Sequence, residues 1–217
     1  MHKSINNLVL INKEIKSKFD KVENINIIAV SKTFPMNEIK PLIDSGHIHF
    51  GENKVQEAVE KWTNIKSSLK HLKLHMIGKL QTNKVKYVVP LFDYIHSLDN
   101  IKLAEKISIE QKKQNKNLKI FIQVNIGDEL QKSGIEKEQL KDFYEKCVNE
   151  YKLNIIGLMC IPPQDGMHKL YFDIMVNLNK AIGLKDLSMG MSSDYLEAIN
   201  SGATFIRIGS KIFGNRN

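Results

Sequence analysis

Apolar residues recur along this chain in two alternating patterns, short runs dense in branched residues and longer stretches with helical spacing. The first stretch, MHKSINNLVLINKEIKSKF, has the spacing of an amphipathic helix. NIIAVSK (26–32) then reads as a strand, and NEIKPLIDSG as a short helix closing on Gly46. HIHFGEN (47–53), LKLHMIGK (72–79) and YIHSL (94–98) read as the next three strands, separated by helical VQEAVEKWTNI and TNKVKYVVPLF. Asp99 or Asn100 can cap the helix IKLAEKISIEQKKQ. LKIFIQVNI (118–126) is a fifth strand, followed by a polar loop and the helix KEQLKDFYEKCVNEY. LNIIGLMCI (153–161) is a sixth, stopped by Pro162 and Pro163 ahead of the helix LYFDIMVNLNKAIG. DLSMGMS (186–192), helical DYLEAINSGA, and TFIRIGSKIFG (204–214) supply the seventh and eighth.

Eight strands separated by helices imply parallel pairing through right-handed crossovers. That count predicts an α/β fold, a closed (β/α)8 TIM barrel with an extra N-terminal helix. The alternative is an open doubly wound sheet, weakened by the lack of GxGxxG after the first strand. No linker or low-complexity stretch divides the chain, so residues 1–217 are expected to form one domain.

Alternation within the strands selects candidate site residues. Lys32 shares a parity with Ile28 and Val30. His49 pairs with Asn53, Ser188 with Ser192, and Arg207 with Gly209, each set opposite an apolar set. If the apolar parity packs on the outer helices, Lys32, His49, Asn53, Ser188, Ser192 and Arg207 face the interior near the C-terminal strand ends, where barrels build their sites. A solvated strand end remains the bland reading of Lys32, and a satisfied core histidine that of His49 and His75.

Composition narrows the ligand class. An apolar share of 42% with 26% charged residues is ordinary for a soluble globular protein. No apolar run approaches the roughly 18 residues of a membrane span, and the first helix makes a poor signal peptide; the expectation is a cytoplasmic protein. Cys147 and Cys160 have neither disulfide nor zinc spacing and read as buried small residues, with no metal site expected. The net charge of +8 suits an anionic ligand, while scattered lysines and a single Trp argue against nucleic acid. GMSS (190–193) and IGS (208–210) follow the strands whose loops commonly hold phosphate in barrels. A lysine facing a phosphate site suggests a Schiff base with pyridoxal 5′-phosphate (PLP).

AVSKT (29–33), FGENKVQE (50–57), HMIGKLQTNK (75–84), KSGI (132–135), GLMCIPP (157–163) and LSMGMSSDYLEAINSGATFIRIGSKIFG (187–214) together resemble the pyridoxal phosphate homeostasis protein family, the YggS/PROSC group. The resemblance implies an alanine racemase N-terminal-like, fold-type III PLP barrel. It implies Lys32 as the Schiff-base lysine and Arg207 at the pyridine nitrogen. Ser192, Gly209 and Ser210 match positions that hold phosphate, Asn53 lines the pocket, and His75 counts among the cofactor-binding residues. Ser210 stands where Thr is frequent, and Cys160 where small or polar residues are usual.

The implied function is PLP binding within vitamin B6 homeostasis, without robust turnover. Arginine at the ring nitrogen leaves the pyridine unprotonated and a weaker electron sink. Related racemases add a second domain and a dimer partner, neither of which is expected here. The expected state is a monomer whose partners are PLP and, beyond it, PLP-dependent apo-enzymes, with neither nucleic acid nor membrane. The competing readings are a PLP enzyme with weak racemase-like activity on amino acids, and a barrel enzyme using Lys32 on a sugar phosphate.

Overall fold

A computed structural model of the chain describes residues 2–20, 22, 24–129 and 131–214. Met1, at the head of the predicted first helix, and residues 215–217, at the end of the predicted domain, lie outside the described residues.

Eight parallel strands close into a barrel in sequence order, β1 (Asn26–Val30), β2 (His49–Glu52), β3 (Lys73–Met76), β4 (Tyr94–Leu98), β5 (Lys119–Gln123), β6 (Asn154–Met159), β7 (Asp186–Ser188) and β8 (Phe205–Ile208). The seam joins first strand to last, with Asn26, Ile27, Ile28 and Ala29 opposite Phe205, Ile206, Arg207 and Ile208. Helix α1 (Lys3–Lys18) precedes the barrel. The crossovers carry α2 (Met36–Asp44), α3 (Val55–Ser68), α4 (Val85–Leu91), α5 (Ile101–Gln114), α6 (Leu140–Asn149), α7 (His168–Ala181) and α8 (Tyr195–Ser201). The predicted (β/α)8 architecture with an extra N-terminal helix is what forms.

The helices follow the chemistry of their ends and faces. Leu8, Ile11 and Ile15 stand at three- and four-residue spacing on α1, and all three are buried. The Asn100 side chain accepts from the Leu103 amide at 2.9 Å to start α5, and left-handed Asn115 ends it.

Strand alternation splits the core in two. Ile27, Ala29, Phe50, Leu74, Ile206 and Ile208 pack outward under the helices. Trp62 of α3 is fully buried there, its ring 5.1 Å from Phe50. Inside the barrel, Ile28, Tyr94, Phe121, Met159 and Phe205 form a separate apolar cluster.

The eighth segment departs from expectation. Its apolar run predicts a strand through residue 214, but β8 stops at Ile208 and a helical turn, α9 (Ser210–Phe213), follows. Ile212 and Phe213 are both buried; as neighbours they would point to opposite faces of a strand, but a helical turn lets both pack inward. The Ile212 and Phe213 amides both donate to the Gly209 carbonyl.

Candidate functional site

At the C-terminal mouth of the barrel a cleft of about 380 Å³ is lined by Val30, Lys32, Asn53, Arg207, Gly209 and Ser210, among others. Five of the seven sequence-predicted site residues are therefore brought together: Lys32, Asn53, Arg207, Gly209 and Ser210.

Lys32 sits two residues past β1 in a loop fastened from behind. The Ser31 hydroxyl donates to Glu52 Oε1 at 2.7 Å, and Trp62 Nε1 donates to the same oxygen at 2.9 Å. Lys61 of α3 forms an ion pair with Glu52 at 2.8 Å and donates to the Ser31 carbonyl at 2.8 Å. Its neighbour Glu57 accepts from the Thr33 amide at 2.5 Å. Thr33 has φ of 67°, a left-handed conformation that costs a β-branched residue about 1–3 kcal/mol. The outer face of β2 and helix α3 thus hold a strained turn in place beside Lys32.

Asn53 leads out of β2, and its Oδ1 is buried with no hydrogen-bond partner among the described residues. Its backbone is approached so closely by Gly78 that a Cβ there would lie 2.3 Å from the Asn53 carbonyl oxygen. Only glycine fits at that contact.

Arg207 is 5% exposed. Its Nη1 donates to Ser188 Oγ at 2.7 Å and its Nη2 to the Cys160 carbonyl at 2.9 Å. Among the described residues no carboxylate lies within 4 Å of it. Burial lowers its pKa. The Cys160 thiol, fully buried, is pushed up to about 12 by that burial, so this residue serves through its backbone.

Gly209 and Ser210 open the turn α9 on the same wall of the cleft. Ser192 stands beside them and accepts from the Lys211 amide at 3.4 Å, but does not line the cleft itself. The seventh strand, read as 186–192, ends at Ser188, so alternation no longer decides where Ser192 points. Gly190 turns the chain with φ of +91°, and a Cβ there would lie 2.6 Å from Ala198 Cβ.

His75 lies fully buried inside the barrel and is not among the residues that line the cleft; both of its ring nitrogens are engaged with other histidines. His49 Nδ1 is 2.9 Å from His75 Nε2, and His75 Nδ1 is 2.9 Å from His96 Nε2. Among the described residues no group of His, Cys, Asp or Glu is arranged to hold a metal ion.

Sequence reasoning missed Glu52, Lys61 and His96. His96 was findable, since alternation in YIHSL gives it the interior parity of Tyr94. The Lys61–Glu52 pair was not, because α3 and β2 meet only through packing.

The family model described as "Alanine racemase, N-terminal domain" matches residues 12–217. A pyridoxal phosphate homeostasis protein of Pasteurella multocida is 38% identical over 203 residues, covering 88% of this chain and 87% of the relative. One of Escherichia coli strain K12 is 37% identical, covering 89% and 87%. PipY of Synechococcus elongatus, solved with PLP bound, is 32% identical with a TM-score of 0.86, covering 97% of this chain and all of PipY.

Proposed function

The chain belongs to the alanine racemase N-terminal domain family and, within it, to the pyridoxal phosphate homeostasis proteins, and from that premise we propose that it binds PLP and serves PLP homeostasis. The observation that carries this reading is the convergence of Lys32, Asn53, Arg207, Gly209 and Ser210 on one cleft.

The residues fit the cofactor. A buried arginine with no carboxylate in ion-pair distance offers its remaining N–H groups to an acceptor such as a ring nitrogen. The partnerless Asn53 Oδ1 offers an acceptor to a donor on the ligand. Ser210 lines the cleft and Ser192 adjoins it, and both hydroxyls can donate to phosphate oxygens. Bound there, PLP supplies an aldehyde for a Schiff base and a conjugated ring. We assign Lys32 as the amine that takes that aldehyde, a reading supported by its place in the cleft and by the hydrogen bonds that fasten its loop.

Arg207 also favours holding over turnover. A guanidinium stays protonated near neutral pH and does not hand a proton to the ring nitrogen. We further propose a single domain over residues 1–217, acting as a cytoplasmic monomer that passes PLP to PLP-dependent apo-enzymes. Among the described residues no helix is long and apolar enough to cross a membrane.

Purified protein mixed with PLP is expected to gain a visible absorption band that borohydride abolishes, leaving the added mass on Lys32. Lys32→Ala should lose both signals. A wild-type protein that stays colourless with excess PLP overturns the reading. Exchange of an amino-acid Cα hydrogen for deuterium at an enzymatic rate would replace homeostasis with racemase-like catalysis.

A further inference from the structure

Arg207 is the end of a polar chain that runs through the barrel interior. From Arg207 Nη1 the contacts pass to Ser188 Oγ at 2.7 Å, and from Ser188 Oγ to His96 Nδ1 at 2.8 Å. From His96 they continue to His75 and then His49 at 2.9 Å each. The rings are held by aromatic neighbours. His75 stacks on Tyr94 at 4.1 Å, and His96 stacks on Phe121 at 4.4 Å with the edge of Phe205 beside it.

The chemistry of the first link fixes all the others. Arginine only donates, so Ser188 Oγ accepts from it. Ser188 is fully buried, and among the described residues its only other side-chain partner is His96 Nδ1. The hydroxyl proton goes there, since a buried donor without an acceptor is costly. His96 is then neutral with its proton on Nε2, which donates to His75 Nδ1. His75 repeats the arrangement and donates from Nε2 to His49 Nδ1. Burial keeps all three rings neutral near pH 7, with His75 and His96 held well below the usual histidine range and His49 lowered to about 4. The charged and titratable groups that act on the chain are Arg207 at its head with Asp194 and Cys160 near it, Lys66 and His47 toward His75, and His47, Lys73, Asp93 and Lys119 around its His49 end.

Each ring presents its Nδ1 lone pair toward Arg207 and its N–H away from it. Such aligned neutral dipoles polarise one another and favour a positive charge at the head of the chain. A carboxylate would do the same but would occupy two guanidinium N–H groups as a fork. The serine takes one.

We propose that Ser188, His96, His75 and His49 form a positioning chain for Arg207, three neutral histidines locked in one tautomer whose aligned dipoles hold the guanidinium at the cleft in place of a carboxylate. The tautomer pattern stands independently of the cofactor. The consequence for binding rests on the PLP reading above.

The test uses the full chain with ¹⁵N-labelled histidine, each ring assigned by single substitution, with and without PLP. The expected spectrum near neutral pH shows His49, His75 and His96 all neutral with the proton on Nε2. Any of the three protonated, or carrying its proton on Nδ1, overturns the proposal. Ser188→Ala should disturb the His96 signals and weaken PLP binding about tenfold or more, with Ser188→Thr restoring both through its hydroxyl. Unchanged PLP affinity and absorption in a folded S188A protein also overturn it. Should S188A fail to fold, the wild-type histidine spectrum decides alone. A wild-type protein that ignores PLP yet shows the expected tautomers refutes the proposed function and leaves the positioning chain standing.

Discussion

Lys61 ties its own helix to the strand end and to the loop before the cleft. Its ammonium is the cation within reach of Glu52, which is fully buried. Lys61→Met keeps the aliphatic packing and leaves that carboxylate without its partner. The expected cost is about 3–5 kcal/mol of unfolding free energy, read from urea denaturation. Arg207 was legible at this scale because a period of two places it on the inner face of β8, while Lys32, two residues past β1, reaches the cleft through its loop. His75 shows the limit of that rule. The resemblance names it as a cofactor residue, but depth along the barrel axis separates a cleft residue from one buried beneath it. That depth depends on register with β2 and β4, where His75 lies opposite Gly51 and Tyr94.

At the scale of elements, α9 depends on α1. Asn7 donates to the Ile212 carbonyl at 2.8 Å. The Tyr195 hydroxyl donates to Glu14, and Lys211 reaches both, at 3.1 Å from Glu14 and 3.0 Å from Tyr195. The first helix, second-to-last helix and last turn thus meet at one carboxylate, directly behind Gly209 and Ser210. Tyr195→Phe removes the shared hydroxyl while keeping the buried ring. The expected loss is about 1.5–3 kcal/mol, measured as a shift in denaturation midpoint, because the bond is to a charged group. Most elements were legible from apolar spacing, the type of α9 being the exception. Four residues are too few for periodicity to choose between helix and strand. What decides it is the packing of Ile212 and Phe213, which no local pattern contains.

For the whole molecule, the buried histidines set how stability follows pH. His47 and His49 fall from 6.5 to about 4, chiefly through burial, and burial holds His75 and His96 well below the usual histidine range too. The unfolded chain therefore binds more protons than the folded one between those limits. This contribution is complete above about pH 6.5 and is lost as pH falls toward and below 4. Urea midpoints measured from about pH 7 down to about pH 4 should fall steadily, and a flat profile across that window contradicts the buried neutral assignment. Topology was legible because eight alternating units leave few ways to close. The inner histidine chain was not, since it needs strands 2, 3, 4, 7 and 8 set at once. The seam pairs the first strand with the eighth, so the ring cannot shut until β8 has been made. Lys32 follows one edge of that seam and Arg207 lies on the other. A ligand held by both would act as a clasp across the final closure. Its release would then be coupled to how readily the two edges part, making residence time a property of the join as well as of the lysine.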